Sequence, residues 1–189
     1  MAQEPKDEKG RPYHIRLGRE DAADVALLPG DPGRVPLIAK KLERAAQVSS
    51  NREYTAYSGY AGRERVLVMS TGIGGPSTAI AVEELAGLGV RTMIRVGTCG
   101  AITPKLDVGS VVIADAAVRM EGTSWQYVSP GYPAAATPGV VLALKRQPKG
   151  WGLRRRSAYR RRRTRSTWVR EGSRSGATFR KAERTWSRT

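Results

Sequence analysis

The stretch that decides the fold is "STGIGGPSTAIAVEELAGLGVRTMIRVGTCGAI", Ser70 to Ile102. It opens on a strand end and a glycine turn, "STGIGGPS", where the chain must bend sharply. A helix is expected next. Ala79, Ile80, Val82, Leu85 and Ala86 recur at helical spacing and form the expected buried stripe. Gly87 or Gly89 ends that helix, because glycine enters the left-handed conformation that closes helices without a steric penalty. "RTMIRVGTCGAI" then reads as a buried strand and its exit loop.

Working outward, the same alternation repeats. "DVALLPG", residues 24–30, is a short apolar run closed by Pro-Gly, hence a strand and a turn. "DPGRVPLIAKKLER", residues 31–44, begins with a cap-like Asp31 and Pro32 and carries Val35, Ile38, Ala39 and Leu42 on one helical face. "REYTAYSGYAGRERVLVMST", residues 52–71, predicts a hairpin turning around Gly59 to Gly62. "LDVGSVVIADAAVRMEGTS" supplies a further strand, "YVSPGYPAAATPG" a loop and "VVLALK" the start of another helix. Continuous Val/Ile/Leu strands alternating with helices predict an α/β domain with a largely parallel, doubly covered sheet.

Such sheets bind ligands at the carboxyl ends of their strands. Here those ends are "LPGDPGR", "MSTGIGGPS" and "RVGTCGAI". Glycines let backbone N–H groups approach a ligand, and an arginine fork matches phosphate or carboxylate oxygens in pairs. Gly30 with Arg34, and Arg95 with Gly97 and Thr98, read as two halves of an oxyanion cradle. Gly74 and Gly75 add a helix N-terminus, which favours anions. The same glycines also serve turn geometry alone. Arg95 has apolar flanks and is expected to be buried, and a buried charge needs a partner; a bound anion is one. A metal cluster, a dinucleotide or P-loop fingerprint and a Ser-His-Asp arrangement find no support in these motifs. The lone histidine, His14, reads by itself as a surface residue.

Composition divides the chain. Residues 1–145 hold 17 Lys+Arg and 15 Asp+Glu, whereas residues 146–189 hold 16 and 2. The body is therefore near neutral, and +14 of the net charge of +16 belongs to the end of the chain. One cysteine, Cys99, leaves no intramolecular disulfide and fits a reducing, cytoplasmic setting. The charged start, residues 1–12, reads as a flexible leader and not as a signal peptide. No apolar run approaches the ~20 residues that span a bilayer.

"LPGDPGRVPLIAKKL", "SNREYTAYSG", "STGIGGPSTAIAVEELAGLGVRT" and "IRVGTCGAI" resemble, in order and spacing, the uridine phosphorylases of the nucleoside phosphorylase family. The likeness covers residues 13–145. It implies a three-layer αβα sandwich and the phosphorolysis of uridine to uracil and ribose 1-phosphate. It implies no cofactor, with inorganic phosphate as co-substrate and no protein nucleophile. By the family pattern Gly30, Arg34, Arg95 and Thr98 bind phosphate in their own subunit, and Arg52 reaches the neighbour's site. His14 matches a histidine that reaches a neighbour's ribose. Glu53, Ile73 and Ser77 match positions holding a monovalent cation, K+, between subunits of a hexamer. Cys99 departs from the threonine usual there. Purine nucleoside phosphorylases and nucleosidases of the same fold are the alternative.

After Lys145 the likeness stops. Residues 146–189 are Arg-rich and almost without aliphatics, and none of the family's base-reading or ribose-binding segments is recognisable there. Back-translated with chosen codons and read with one base restored in front, Arg162–Glu171 spells a segment resembling the uracil-reading stretch of the family. The same shift just after Lys145 yields a helix end and a strand start. The expectation is a truncated, frameshifted end near Arg146, an irregular or disordered tail and an inactive chain. An alternative of another class is a basic nucleic-acid-binding protein acting through residues 146–189. Arginines interleaved with Trp and Tyr suit single strands, and counterion release makes incidental polyanion binding expected.

Overall fold

Four residues, Val25–Leu28 (β1), form the spine of the first sheet. β1 pairs in parallel with β4 (Glu64–Met69) on one side and with β5 (Thr92–Arg95) on the other. β3 (Tyr54–Ala61) and β2 (Glu43–Asn51) continue the sheet antiparallel beyond β4, giving the order β2-β3-β4-β1-β5. The sheet is thus mixed, with its parallel part at the strands whose ends carry the glycines. The computed structural model describes residues 5–102, 104 and 106–146, together with the backbone of 155–163 and 166–170. The chain divides into one unit of residues 1–98 and 121–129 and a second of 99–120 and 130–189.

The core of the first unit lies between this sheet and α2 (Gly75–Gly87). Leu67, Met69, Ala26 and Leu28 from the sheet meet Ala81 and Leu85 from the helix, and Ile15 and Leu17 close the cluster. Fully burying a side chain the size of these leucines, Ile15 or Met69 contributes about 1.5–3 kcal/mol. α2 starts after Gly74, whose φ of 110° only glycine adopts without strain. Its buried side is Ala81, Glu84 and Leu85, whereas Val82 and Ala86 are exposed. The expected stripe was therefore rotated. A carboxylate holds a core position, for a reason that the site makes clear.

The first helix is much shorter than residues 31–44. Asp31 caps a turn of 3-10 helix (Pro32–Arg34) by accepting from the Gly33 N–H at 2.9 Å. α1 then spans Val35–Ala39. From Glu43 the backbone is claimed by β3, beginning with the pair Glu43↔Tyr60. Gly59 permits this: a Cβ there would stand 2.9 Å from Leu42 Cβ and 3.2 Å from the Ala45 backbone. The expected hairpin is β3–β4, but its turn falls at Gly62 and Arg63, with Gly62 at φ 63°. The stretch read as a flexible leader is, over residues 5–12, a closed turn. Asp7 accepts from the Lys9 and Arg11 amides at 2.9 Å each and pairs with the Arg11 guanidinium at 2.7 Å.

In the second unit β6 (Val111–Arg119) pairs antiparallel with β7 (Ala134–Ala135), and α3 (Pro138–Lys145) buries Val141. β8 (Arg155–Arg163) runs parallel to β6, and β9 (Ser166–Arg170) runs antiparallel to β8. Of the tail expected to be irregular, these two stretches are strands, and the rest lies outside the described residues. Among the described residues, no helix is long and apolar enough to cross a membrane.

Candidate functional site

The ends of β1, β4 and β5 meet at glycines. Gly30 directly follows the Pro29 turn after β1 and is buried. A Cβ on Gly30 would stand 2.9 Å from Arg95 Nη2 and 3.2 Å from the Gly72 carbonyl. A Cβ on Gly97 would stand 3.4 Å from Arg95 Nη1. The Arg95 guanidinium therefore lies against both glycines and near the backbone that follows β4. Its Nη1 donates to the Leu28 carbonyl at 3.0 Å and to the Val96 carbonyl at 2.9 Å. The Leu28 carbonyl also takes the Val96 N–H at 3.1 Å, the last rung between β1 and β5.

Arg95 is exposed, contrary to the burial expected from its apolar flanks. It is the final residue of β5, and β5 is the edge of this sheet among the described residues. Arg34 closes the 3-10 turn after β1 and is half-buried, and Thr98 is exposed beyond β5. The start of α2, expected to favour an anion, lies beside a carboxylate of the chain itself. A Cβ on Gly75 would stand 2.9 Å from Glu121 Oε2. That carboxylate accepts from the Thr123 amide at 2.8 Å and the Ser124 amide at 3.2 Å. Burial pushes the Glu121 carboxyl upward, but hydrogen bonds from Ser124 and Thr123 outweigh it and hold it below its ordinary range.

A second group adjoins through Gly72, at φ 67°. A Cβ there would stand 2.7 Å from Glu53 Cγ and 3.4 Å from Ser77 Oγ. The Ser77 hydroxyl donates to the Ile73 carbonyl at 3.2 Å. Glu53, Ile73 and Ser77 are thus neighbours around Gly72, with the Ile73 side chain almost wholly exposed. Tyr54 lies beneath them, its hydroxyl donating to the Ser77 carbonyl at 2.9 Å. Burial and the neighbouring Glu53 carboxylate push that phenol up to about 12. Ser70 ties the strand ends together by donating to the Glu53 carbonyl at 2.6 Å and accepting from the Thr55 amide at 2.8 Å.

A third group gathers His14 and Arg52 around Tyr13. The Tyr13 and His14 rings meet edge to face at 5.2 Å, and the Arg52 guanidinium lies 5.7 Å from the Tyr13 ring centre. Arg52 sits at the β2–β3 turn with a φ of 53°, a conformation uncommon outside glycine. Asn51 holds this turn to the segment by donating to the His14 carbonyl at 2.8 Å. Sequence reasoning missed Glu84, which binds both backbone and ring of His14. Its signal was present: a charged residue one position before Leu85, inside an apolar helix. Among the described residues, no group of His, Cys, Asp and Glu could hold a metal ion by their number and proximity.

The Phosphorylase superfamily model matches residues 24–175, and the chain belongs to that family. A uridine phosphorylase from Thermococcus kodakarensis is 49% identical over 153 residues, 81% of this chain and 55% of that protein. The Escherichia coli uridine phosphorylase is 43% identical over 74% of this chain and 56% of its own length. A guanosine phosphorylase from Halorubrum lacusprofundi is 45% identical over 69% and 54%. The crystal structure of uridine phosphorylase from Vibrio fischeri superposes with a TM-score of 0.77 at 31% identity, covering 80% of this chain and 63% of that one. The α/β fold is that of the nucleoside phosphorylases. The chain spans somewhat more than half the length of these relatives.

Proposed function

We propose that the ends of β1, β4 and β5 form the phosphate half of a uridine phosphorylase-type site. The observation that carries this reading is the Arg95 guanidinium, seated against Gly30 and Gly97 and braced by two main-chain carbonyls. Gly30, Arg34, Arg95 and Thr98 hold phosphate, with Arg52 contributed to a neighbouring subunit. A phosphate oxygen attacks C1′ of an oxocarbenium-like ribose as the bond to the uracil nitrogen breaks. The base leaves with the electron pair, takes a proton, and ribose 1-phosphate remains. The chain's task is positioning and charge stabilisation, which need no protein nucleophile.

Glu53, Ile73 and Ser77 would hold a potassium ion between subunits. Their grouping around Gly72 supplies a carboxylate, a hydroxyl and a carbonyl, the hard oxygen donors such an ion takes. The family model runs on to residue 175, but the motifs recognised in the sequence end at Lys145, so uridine turnover by this chain is expected to fall far below that of a full-length relative. Calorimetric titration with inorganic phosphate, beside an assay of uracil release, tests the reading. Phosphate binding that survives Arg95→Ala unchanged defeats it. The guanosine-named relative favours a purine nucleoside as second substrate class. Guanine release outrunning uracil release would select it.

A further inference from the structure

Glu84 is 8% exposed, on the core face of α2 between Ala81 and Leu85. A carboxylate so placed is costly unless its oxygens are fully used. Oε2 accepts from the Ile15 amide at 2.8 Å. Oε1 accepts from the His14 amide at 3.2 Å and stands 2.6 Å from His14 Nδ1. The two amides alone would account for a structural cap. The ring contact is additional, and it is the shortest of the three.

We infer that Glu84 is a positioning residue that fixes the tautomer and orientation of His14, so that Nε2 is presented bare, as a hydrogen-bond acceptor. An ionised carboxylate accepts and never donates, so the proton between the two groups belongs to Nδ1. In a neutral ring the other nitrogen is then without one. The ring cannot turn away easily. Its backbone is clamped by Glu84 on the amides, by Asn51 on the His14 carbonyl and by Ser49 on the Ile15 carbonyl at 2.7 Å. Tyr13 stands edge to face against it. A bare Nε2 accepts from a hydroxyl, the group a ribose offers. This last step rests on the reading above that His14 meets a nucleoside's sugar.

His14 is the one histidine in the sequence, so a single imidazole signal set reports on it. Long-range nitrogen–proton correlation spectra of the full chain, recorded at mildly alkaline pH, show which nitrogen is protonated. The expected result is Nδ1–H in the parent protein. In Glu84→Gln one amide oxygen must serve three donors, and the Nε2–H form preferred by a free ring gains population. An Nε2–H ring in the parent overturns the inference. So does a folded Glu84→Gln whose ring signals match the parent's. Should the variant not fold, the parent spectrum alone decides. Adding uridine with phosphate separates the two readings. An Nδ1–H ring whose Nε2 signal ignores uridine defeats the sugar contact and leaves the tautomer assignment standing.

Discussion

Replacing Gly30 by alanine is expected to weaken phosphate binding through an arginine that is distant in sequence. The new Cβ would lie 2.9 Å from Arg95 Nη2, closer than real Cβ contacts, and 3.2 Å from the Gly72 carbonyl. The first contact is with the tip of a flexible side chain, which moves. The second is with backbone, which shifts by a few tenths of an ångström. Stability therefore falls modestly, by about 1 kcal/mol, the worth of one strained rung and a loosened hydrogen bond to Leu28. Phosphate binding falls further. A hydrogen bond to a charged group is worth about 1.5–3 kcal/mol, and each 1.4 kcal/mol is tenfold, so a Kd increase of roughly 10- to 100-fold is expected. Arg95→Ala removes the same interaction outright. Because both changes act on one guanidinium, the double variant is expected to bind no more weakly than Arg95→Ala alone. Titration calorimetry on the four proteins closes the cycle, with urea melts beside it. Losses that add in the double variant would refute the reasoning, as would Gly30→Ala binding at the parent's affinity.

Tyr54→Phe removes the bond to Ser77 and is expected to cost about 1 kcal/mol in denaturant melts. The native phenol titrates above its unfolded value, so the stability it contributes is whole below about pH 10 and lost as pH rises toward about 12; melts across that range fall for the parent, and the fall is smaller in the variant. Gly72→Ala meets Glu53 Cγ at 2.7 Å at a φ of 67°, and thermal melts are expected to register a loss of about 2 kcal/mol together with weakened potassium dependence of any turnover. Deleting residues 146–189 removes 16 basic residues, and gel-shift titration is expected to show the loss of a salt-sensitive retention of RNA; retention unchanged by the deletion would place that charge effect in the body.

The parallel part of the sheet and α2 were legible because their apolar runs are continuous and end at glycines. "VALL", "RVLVMS" and "TMIR" are all strands at or near their expected bounds. β2 was illegible. "ERAAQVSSN" is a sheet-edge strand with two irregularities in its register and no alternation of burial, so nothing in its period announces it. The α1 helix was overextended for the converse reason: Leu42 fits the helical period, but pairing with β3 claims the backbone from Glu43. The strand-end glycines and Arg95 emerged from composition and position alone. Their mutual spacing did not, since the contact of Arg95 with Gly30 joins residues far apart in sequence. Glu84 escaped because a charged residue was counted against the buried face. Its burial depends on amide donors from another segment, which helical periodicity does not contain.

The Leu28 carbonyl serves two donors, the Val96 amide and the Arg95 guanidinium. One oxygen thus joins the end of the sheet to the tip of the arginine. Opening of the β1–β5 terminus, a local event far smaller than unfolding, frees that oxygen for the guanidinium and at the same time loosens the peptide from which the arginine springs. Phosphate affinity at the proposed site would then act as a thermometer of strand fraying. It is expected to decline at temperatures where the core around Leu67 and Leu85 is still intact.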